Sequence, residues 1–496
     1  MKLLLIIVLL CLMGYVRSQI THIDLRHHQN AQRHKTSSYH LSLPSLVIRR
    51  GQIVDFTIHY DRLFNKTNDK IRLEFIFGHN FEETSPAKLD EGSIVYVPLE
   101  TNTTYLDNST SVHIWRARVT NVDNYKIFGQ VYLPSNAAVG PWRLRFSVKS
   151  LSPKHLNTYY VNDILYLLFN SWVQDDPVYL AREDARQEYL LNDVGMIYIG
   201  TISRQAGRTW TYGQFHESVL PSSFHLLDKA KLSFRERADV VKVSRAVSAI
   251  VNSHDEGGLL VGNWSGTYGD GLAPWQWSNS AVIFKQYQRS GYRPVKFAQC
   301  WVFGGVTTTI LRALGIPART ITNFASAHDT DESLTVDKFF SGGSELRGVN
   351  TDSVWNFHVW SDAWMARHDL PPGYGGWQAI DATPQEKSGG KYQLGPASLE
   401  AIKQGKVGYA YDARFVYSEV NADLVYWNFD GRARFKWYRS QVYKNHSGRK
   451  MLTKMIGSNH PETITYQYKH LEGTPEETRA RNEAAKAAGL EPILVD

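Results

Sequence analysis

The spacing of apolar residues changes near residue 150 of this 496-residue chain, and that change divides it into two regions. From residue 20 to about 150, apolar and polar residues alternate, as in "IVDFTIHY" and "WRLRFSV". Similar segments are separated by clusters of Asn, Asp, Gly and Pro. A period of two with frequent turns is typical of antiparallel strands, so residues 20–150 are predicted to form a β-sandwich.

From about residue 168, helical and extended patterns are mixed, which predicts an α+β domain over residues 168–489. The segment "CWVFGGVTTTILRALGIPART" has apolar residues at helical spacing, followed by Gly315 and Pro317 as a stop signal. A chain of this length is too long to fold around one hydrophobic core, which agrees with two domains. Near the end, Thr474 and Pro475 have the pattern of a helix start.

The first 18 residues have the pattern of a secretory signal peptide, with Lys2 followed by the apolar run 3–13. No later run approaches the roughly 20 apolar residues of a membrane span. We therefore expect a secreted protein without a membrane span, and its Asn-X-Ser/Thr sequons agree with glycosylation. Four of these sequons are at Asn65, Asn102, Asn108 and Asn445, and a fifth, at Asn263 before Trp264, is expected to be too buried to modify. The formal charge of +7 is not concentrated in a basic block, which argues against a nucleic-acid partner.

Only two cysteines occur, Cys11 in the leader and Cys300 at the start of the predicted helix. An unpaired cysteine in an exported protein is either a small buried hydrophobe or a reactive thiol. The free N–H groups and the dipole at a helix N-terminus favour a thiolate. The extended segment "VKFAQ" before Cys300 places the sulfur at a strand-to-helix junction, which favours the reactive alternative.

A nucleophilic cysteine requires a base and a group that orients the base. His358 lies in the aromatic strand pattern "SVWNFHVWSDAW", and Asp381 ends the short apolar strand "GWQAID". Taken alone, such a histidine is more often a packed core residue and such an aspartate a turn former. The order Cys, His, Asp on a helix and two strands matches papain-like thiol catalysis.

The segments "AQCWVFGG", "SVWNFHVWSDAW" and "GWQAIDATPQEKSGG" resemble the three catalytic segments of the transglutaminases, closest to the animal, calcium-dependent type. The resemblance extends over nearly the whole chain after the leader. It implies an α+β fold, with an immunoglobulin-like β-sandwich followed by a papain-like catalytic core. The family's two C-terminal β-barrels are expected to be absent, because the sequence stops at Asp496.

The resemblance also implies a role for each matching residue. Cys300 would be the nucleophile, His358 the base and acid, and Asp381 the group that orients the imidazole. The indole of Trp264 would help to hold the oxyanion, and Trp355 would wall the tunnel for the acyl acceptor. The implied partners are glutamine-donor and lysine-donor proteins, joined by an isopeptide bond through a Cys thioester.

Calcium binds several hard oxygen ligands. The segments "EVNADL" and "LEGTPEET" offer such oxygens, although alone they indicate only a turn and a solvated acidic helix start. They match the main calcium site of the family. The implied ligands of this main calcium site are Asn421, Asp423, Glu472 and Glu477.

Two further calcium sites are implied by the same resemblance. The second has Ser and Thr where the family has Asn and Ser, and it comprises Asp329, Asp331, Ser333, Thr335 and Asp352. The third keeps Asn252 and has Glu256 where the family has Asp. Gly257 replaces an Asn there, which leaves one ligand fewer.

Two other functions are compatible with the sequence. One is a thiol hydrolase that deamidates protein glutamine with the same triad. The other is a non-catalytic scaffold on the same fold. Retention of Cys300, His358 and Asp381 argues against a scaffold, and the two tunnel tryptophans argue against a hydrolase.

Overall fold

The computed structural model describes residues 20–79, 93–101, 114–151, 154–431 and 437–490. The predicted signal peptide (1–18) and the sequons at Asn102 and Asn108 lie outside these ranges. The chain divides into two compact units, Met1–Asp176 and Pro177–Asp496. Among the described residues, no helix is both long and apolar enough to cross a membrane.

The first unit is built almost entirely of strands. Its elements are β1 (Ile20–Asp24), α1 (His27–Arg33), β2 (Ser45–Arg49), β3 (Gln52–Tyr60), β4 (Asp69–Phe77), β5 (Ile94–Glu100), β6 (Arg116–Asp123), β7 (Lys126–Leu133), β8 (Gly140–Leu151), β9 (Lys154–Tyr160) and β10 (Ile164–Leu168). They are ordered β1-β3-β7-β6-β5-β4-β8-β10-β2, with β9 also on β8. The pairs β2–β10 and β5–β6 are parallel, whereas the period of two with frequent turns predicts antiparallel pairing.

Alternating apolar residues fill the core of this unit, as the period of two predicts. Phe56 on β3 and Phe146 on β8 are buried, with ring centroids 5.3 Å apart. Gly129 on β7 permits this packing, because a Cβ there would lie 2.3 Å from the Phe56 ring. Strands β3 and β8, which are not neighbours in the strand order, thus pack face to face over an apolar core, which agrees with the predicted β-sandwich.

The second unit mixes helices and strands. Its helices are α2 (Glu183–Arg186), continued by a π-helical turn (Gln187–Leu191), α3 (Val219–Lys229), α4 (Val240–Val251), α5 (Ser253–Glu256), α6 (Ser280–Arg289), α7 (Cys300–Ala313), α8 (Leu399–Lys403), α9 (Ala413–Asn421), α10 (Thr465–Tyr468) and α11 (Pro475–Ala487), with short 3-10 turns at Glu236–Ala238 and Pro274–Gln276. Its strands are β11 (Val194–Thr201), β12 (Arg204–Thr211), β13 (Leu260–Gly262), β14 (Val295–Ala298), β15 (Ala318–His328), β16 (Thr335–Ser341), β17 (Ser344–Glu345), β18 (Ser353–Met365), β19 (Gly376–Asp381), β20 (Leu394–Ser398), β21 (Asp423–Phe429), β22 (Trp437–Tyr443), β23 (Lys450–Lys454) and β24 (Pro461–Thr463).

A six-stranded sheet, ordered β20-β19-β18-β15-β23-β24, forms the centre of the second unit. A four-stranded sheet is ordered β17-β16-β21-β22. Together with the first unit, this arrangement confirms the predicted α+β fold class.

Two adjacent glycines let helix α7 lie very close to strand β18 and to Trp210 of strand β12. A Cβ at Gly304 would lie 2.9 Å from a Val359 methyl, and a Cβ at Gly305 would lie 2.4 Å from the Trp210 ring. The helix is therefore buried along its length, with its N-terminus at Cys300. Because close packing surrounds the helix, its position relative to the sheet is fixed.

Candidate active site

Cys300 is the first residue of α7, directly after strand β14, and is only 4% exposed. The Gln299 side chain does not cap the helix. It donates instead to the Asn263 carbonyl at 2.9 Å and the Tyr268 hydroxyl at 3.3 Å. The first turn of α7 therefore directs its N–H groups and positive dipole toward the thiol without a competing side-chain cap.

His358 on β18 and Asp381 at the end of β19 form a buried pair on neighbouring antiparallel strands. His358 Nε2 lies 2.6 Å from Asp381 Oδ2. The other oxygen, Asp381 Oδ1, accepts from the Thr383 backbone N–H at 2.8 Å. The carboxylate is thus held from both sides, which fixes the orientation of the imidazole.

Charge and burial act in opposite directions on His358. Burial lowers its pKa, but the Asp381 carboxylate and the Cys300 thiol outweigh burial and raise that pKa well above its ordinary value. His358 Nδ1 has no hydrogen-bond partner within the described part of the chain. The structure therefore brings Cys300, His358 and Asp381 together, with one ring nitrogen bound to Asp381 and the other available for proton transfer.

The two predicted tryptophans have different surroundings. The Trp355 ring centroid lies 6.4 Å from that of His358, beside the imidazole. Trp264 is 50% exposed, and its ring covers Gly262, where a Cβ would lie 2.5 Å away. The Asn263 N–H bonds the Ala298 carbonyl at 3.0 Å, which ties this loop to the strand before Cys300. The oxyanion role of Trp264 and the tunnel role of Trp355 stay predictions.

Glu419 on α9 is a site residue that sequence reasoning missed. Its side chain is buried, and its Oε1 lies 4.0 Å from His358 Nε2 without a hydrogen-bond partner among the described residues. Burial, reinforced by the Asp381 charge and opposed by His358, raises the pKa of Glu419 to about 8. The sequence feature that identifies it is its position on the same helix face as the apolar residues Val416 and Val420.

Glu419→Gln is expected to stabilise the protein progressively as the pH rises from 5 to 9. The ordinary pKa of the carboxyl is 4.5 and its folded pKa is about 8, so the wild type loses stability across that window. Glutamine cannot ionise and avoids this loss, which is on the order of a few kcal/mol. Thermal unfolding at several pH values checks the result, with the exposed Glu476→Gln as control. A pH-independent difference between Glu419→Gln and wild type would contradict it.

Three of the four predicted ligands of the main calcium site converge on one cation, the guanidinium of Arg481. Its Nη1 lies 3.2 Å from Asp423 Oδ2, and its Nη2 lies 3.1 Å from Glu472 Oε1 and 2.8 Å from Glu477 Oε1. Burial raises the pKa of Asp423 to about 6 although Arg481 lowers it. Asn421 lies in the same region, two residues before Asp423. The clustered carboxylates fit a hard cation in chemistry and charge.

The second predicted calcium site is also assembled in part. Carboxylate oxygens of Asp329, Asp331 and Asp352 lie within 4.8 Å of one another. Ser333 Oγ and Thr335 Oγ1 donate to Asp337 Oδ2, at 3.1 and 2.8 Å, and Asp337 was not predicted. The oxygen atoms of this region are of the kind that bind a hard cation, and Asp337 adds a further carboxylate beside them.

The two residues of the third predicted site have separate partners. Asn252 Oδ1 accepts from the His254 N–H at 2.9 Å, and its amide donates to the Ala382 carbonyl at 3.3 Å. Glu256 pairs with Lys391. The structure shows no shared partner of Asn252 and Glu256 within the described residues, and this site stays a prediction.

Family models match two parts of the chain. Residues 21–149 match the model described as Transglutaminase family, and residues 268–382 match the model described as Transglutaminase-like superfamily. The first range contains most strands of the sandwich, and the second contains all three triad residues.

Two curated relatives and one solved structure are similar over almost the whole chain. Hemocyte protein-glutamine gamma-glutamyltransferase of Tachypleus tridentatus is 41% identical over 486 residues, 95% of this chain and 62% of that protein. Protein-glutamine gamma-glutamyltransferase K of Homo sapiens is 42% identical over 471 residues, 95% of this chain and 55% of that protein. The crystal structure of red sea bream transglutaminase superposes with a TM-score of 0.81 at 35% identity, covering 94% of this chain and 68% of that one.

The chain spans 62% and 55% of the length of the two curated relatives, so their activities describe longer proteins. The solved structure is matched over more than two thirds of its length at an identity that shows common descent. With the buried Cys300–His358–Asp381 arrangement inside the matched core, the chain belongs to the transglutaminase family.

Proposed function

We propose that this chain is a protein cross-linking enzyme that transfers the acyl group of a protein glutamine to a protein lysine through a thioester on Cys300. The observation that carries this proposal is the buried arrangement of Cys300, His358 and Asp381, with a 2.6 Å contact between His358 Nε2 and Asp381 Oδ2. The relatives' names describe the same γ-glutamyl transfer for those proteins. The partners would be proteins with accessible glutamine and lysine side chains.

The first half-reaction forms the thioester and releases ammonia. His358 holds the proton of the Cys300 thiol, and the thiolate attacks the γ-carboxamide carbon of glutamine. The C–N bond then breaks as His358 gives the proton to the departing ammonia. The N-terminus of α7, with the Trp264 indole as a second donor, would stabilise the oxyanion between these steps.

The second half-reaction transfers the acyl group to lysine. His358 takes a proton from the ε-amine as its nitrogen attacks the thioester carbon. The C–S bond breaks, the thiol regains a proton from His358, and an isopeptide bond remains. Asp381 keeps the imidazole oriented and supports its positive charge in both halves of the cycle.

Trp355→Ala is expected to shift the partition of the thioester from lysine toward water. The ring lies beside the imidazole, and its removal admits solvent to the position from which the amine attacks. Ammonia release should then exceed amine incorporation severalfold relative to wild type. Parallel assays of both products check this ratio, with the exposed Trp275→Ala as control. An unchanged ratio would remove Trp355 from the acceptor path.

Calcium dependence is part of the proposal. When bound, the ion would supply positive charge that neutralises Asp423, Glu472 and Glu477, with Asn421 as a fourth donor. Asn421 ends α9, Asp423 begins β21, Glu472 lies just before α11 and Glu477 lies in its first turn. Glu419 on the same α9 lies 4.0 Å from His358, so this helix connects the cluster to the triad. Asp329, Asp331 and Asp352, with Ser333 and Thr335, would form a second calcium site.

Action outside the cell is also proposed, from the leader at 1–18 and the sequons. Asn65 and Asn445 are exposed, as a glycosylation site requires. Cys300 is the only cysteine after the leader, so no second thiol of the chain could form a disulfide with it in an oxidising compartment.

The test is incorporation of a labelled primary amine into a glutamine-rich protein, with ammonia measured in the same samples. The assay is run once with added calcium and once with excess chelator. Incorporation only with calcium would support the whole proposal, and incorporation in chelator would remove calcium dependence alone. Ammonia without incorporation would favour the deamidase. Absence of both products from a folded chain would favour the scaffold.

A further inference from the structure

We propose that the Arg481 guanidinium is a resident cation of the main calcium site and competes with Ca²⁺, so that Arg481 sets the calcium affinity of this chain. The proposal rests on the calcium site of the proposed function. Arg481 lies one helical turn after Glu477 on α11 and contacts the three predicted carboxylate ligands at 2.8–3.2 Å. A predicted ligand set is thus already engaged by a positive group of the chain itself.

Arg481 and a calcium ion cannot occupy this cluster together. Calcium binds its oxygen ligands at about 2.3–2.6 Å and requires six to eight of them. Three guanidinium nitrogens already donate to these carboxylates, Nη1 to Asp423 Oδ2, Nη2 to Glu472 Oε1 and Nε to Glu477 Oε1. The Arg481 side chain is 14% exposed, so its charge is poorly screened by solvent. Binding of calcium therefore requires Arg481 to leave these oxygens.

The guanidinium leaves part of the site unsatisfied, which points to a second ligand. Asp423 is 4% exposed at its side chain, and its Oδ1 has no hydrogen-bond partner in the described part of the chain. A buried carboxylate oxygen without a donor is costly, and a metal ion would satisfy it.

Space for displacement of the arginine adjoins the cluster. A cavity of about 430 Å³ is lined by Asn421, Asp423, Arg481, Tyr417, Trp427 and Asp337. The last of these is a buried carboxylate from the neighbouring acidic region. Arg481 can thus vacate the carboxylates by rotating within this cavity, without unfolding of α11.

The test is calcium binding measured by titration calorimetry on the wild type, Arg481→Gln and Arg479→Gln. Arg479 lies on the same helix, is 72% exposed and pairs with Glu476, so Arg479→Gln makes the same charge change outside the site. An internal competitor weakens the apparent calcium affinity by the fraction of molecules in which the site is free, so a site filled by Arg481 about nine-tenths of the time loses about tenfold. Arg481→Gln should therefore bind calcium at least about tenfold more tightly than wild type at one site, whereas Arg479→Gln should match wild type.

Thermal unfolding with and without calcium gives a second readout that does not depend on activity. Arg481→Gln should melt below wild type in chelator, because its carboxylates repel one another, and calcium should raise its Tm more than that of wild type. Equal calcium affinity and equal Tm gain in wild type and Arg481→Gln would overturn the inference. Failure of both proteins to bind calcium would overturn it too, whereas calcium-independent amine incorporation would leave the acyl transfer intact.

Discussion

Cys300→Ala is expected to reduce amine incorporation to background, a loss of roughly 10⁵–10⁶ in kcat/KM when the nucleophile of a coupled triad is removed. The thiol is the only group at the start of α7 that can form the acyl-enzyme, and residues 19–496 contain no other cysteine. The measurement is incorporation of a labelled amine, with ammonia release in the same samples. Both products should disappear together, because both arise from one thioester.

A loss of activity in Cys300→Ala must be distinguished from a loss of folding. Cys300 is buried, so alanine removes one sulfur atom from a packed site and should change the Tm only slightly. A thiol-directed alkylating agent provides an independent control. It should add one label to residues 19–496 of the wild type, none to the same residues of Cys300→Ala, and abolish activity in step with labelling. Activity that survives full labelling would exclude Cys300 as the nucleophile.

Much of the fold can be predicted from local patterns in the sequence. Period-two alternation identifies the strands around Phe56 and Phe146, and helical spacing after Cys300 identifies α7 with its stop at Gly315. These patterns depend on short-range geometry, which the sequence displays directly. The parallel pairs β2–β10 and β5–β6 were not predicted, because the pairing of strands distant in sequence is decided by long-range packing.

The site was predictable where residue types carry the chemistry. Cys300, His358 and Asp381 were selected by reactivity and local setting, and the structure brings them together. Glu419 and Arg481 were missed because a glutamate or arginine on a helix is usually solvated. Their roles depend on which groups α9 and α11 face in the folded chain. Glu419 faces His358, and Arg481 faces Asp423 across more than fifty residues of sequence.

Asp381→Asn is expected to lower kcat by roughly 10⁴, the scale seen when an orienting carboxylate becomes an amide. The amide nitrogen would meet His358 Nε2, which now donates to Asp381 Oδ2 at 2.6 Å, and this favours the wrong tautomer. Removal of the negative charge also lowers the pKa of His358, because Asp381 is the largest group that raises it. The imidazolium then loses its proton at lower pH.

The pH dependence of the residual activity separates a catalytic role of Asp381 from a structural one. His358 must carry a proton to release ammonia, so the alkaline limb of kcat/KM should move to lower pH in Asp381→Asn. Glu419→Gln is the matched control, since Glu419 is equally buried but lies 4.0 Å from the same nitrogen without a hydrogen bond. That variant should remain within about tenfold of wild type at neutral pH, because a contact without a hydrogen bond contributes little to orientation. Equal losses in both variants, with an unshifted alkaline limb, would mean that Asp381 contributes packing alone and that another group supports the charge on His358.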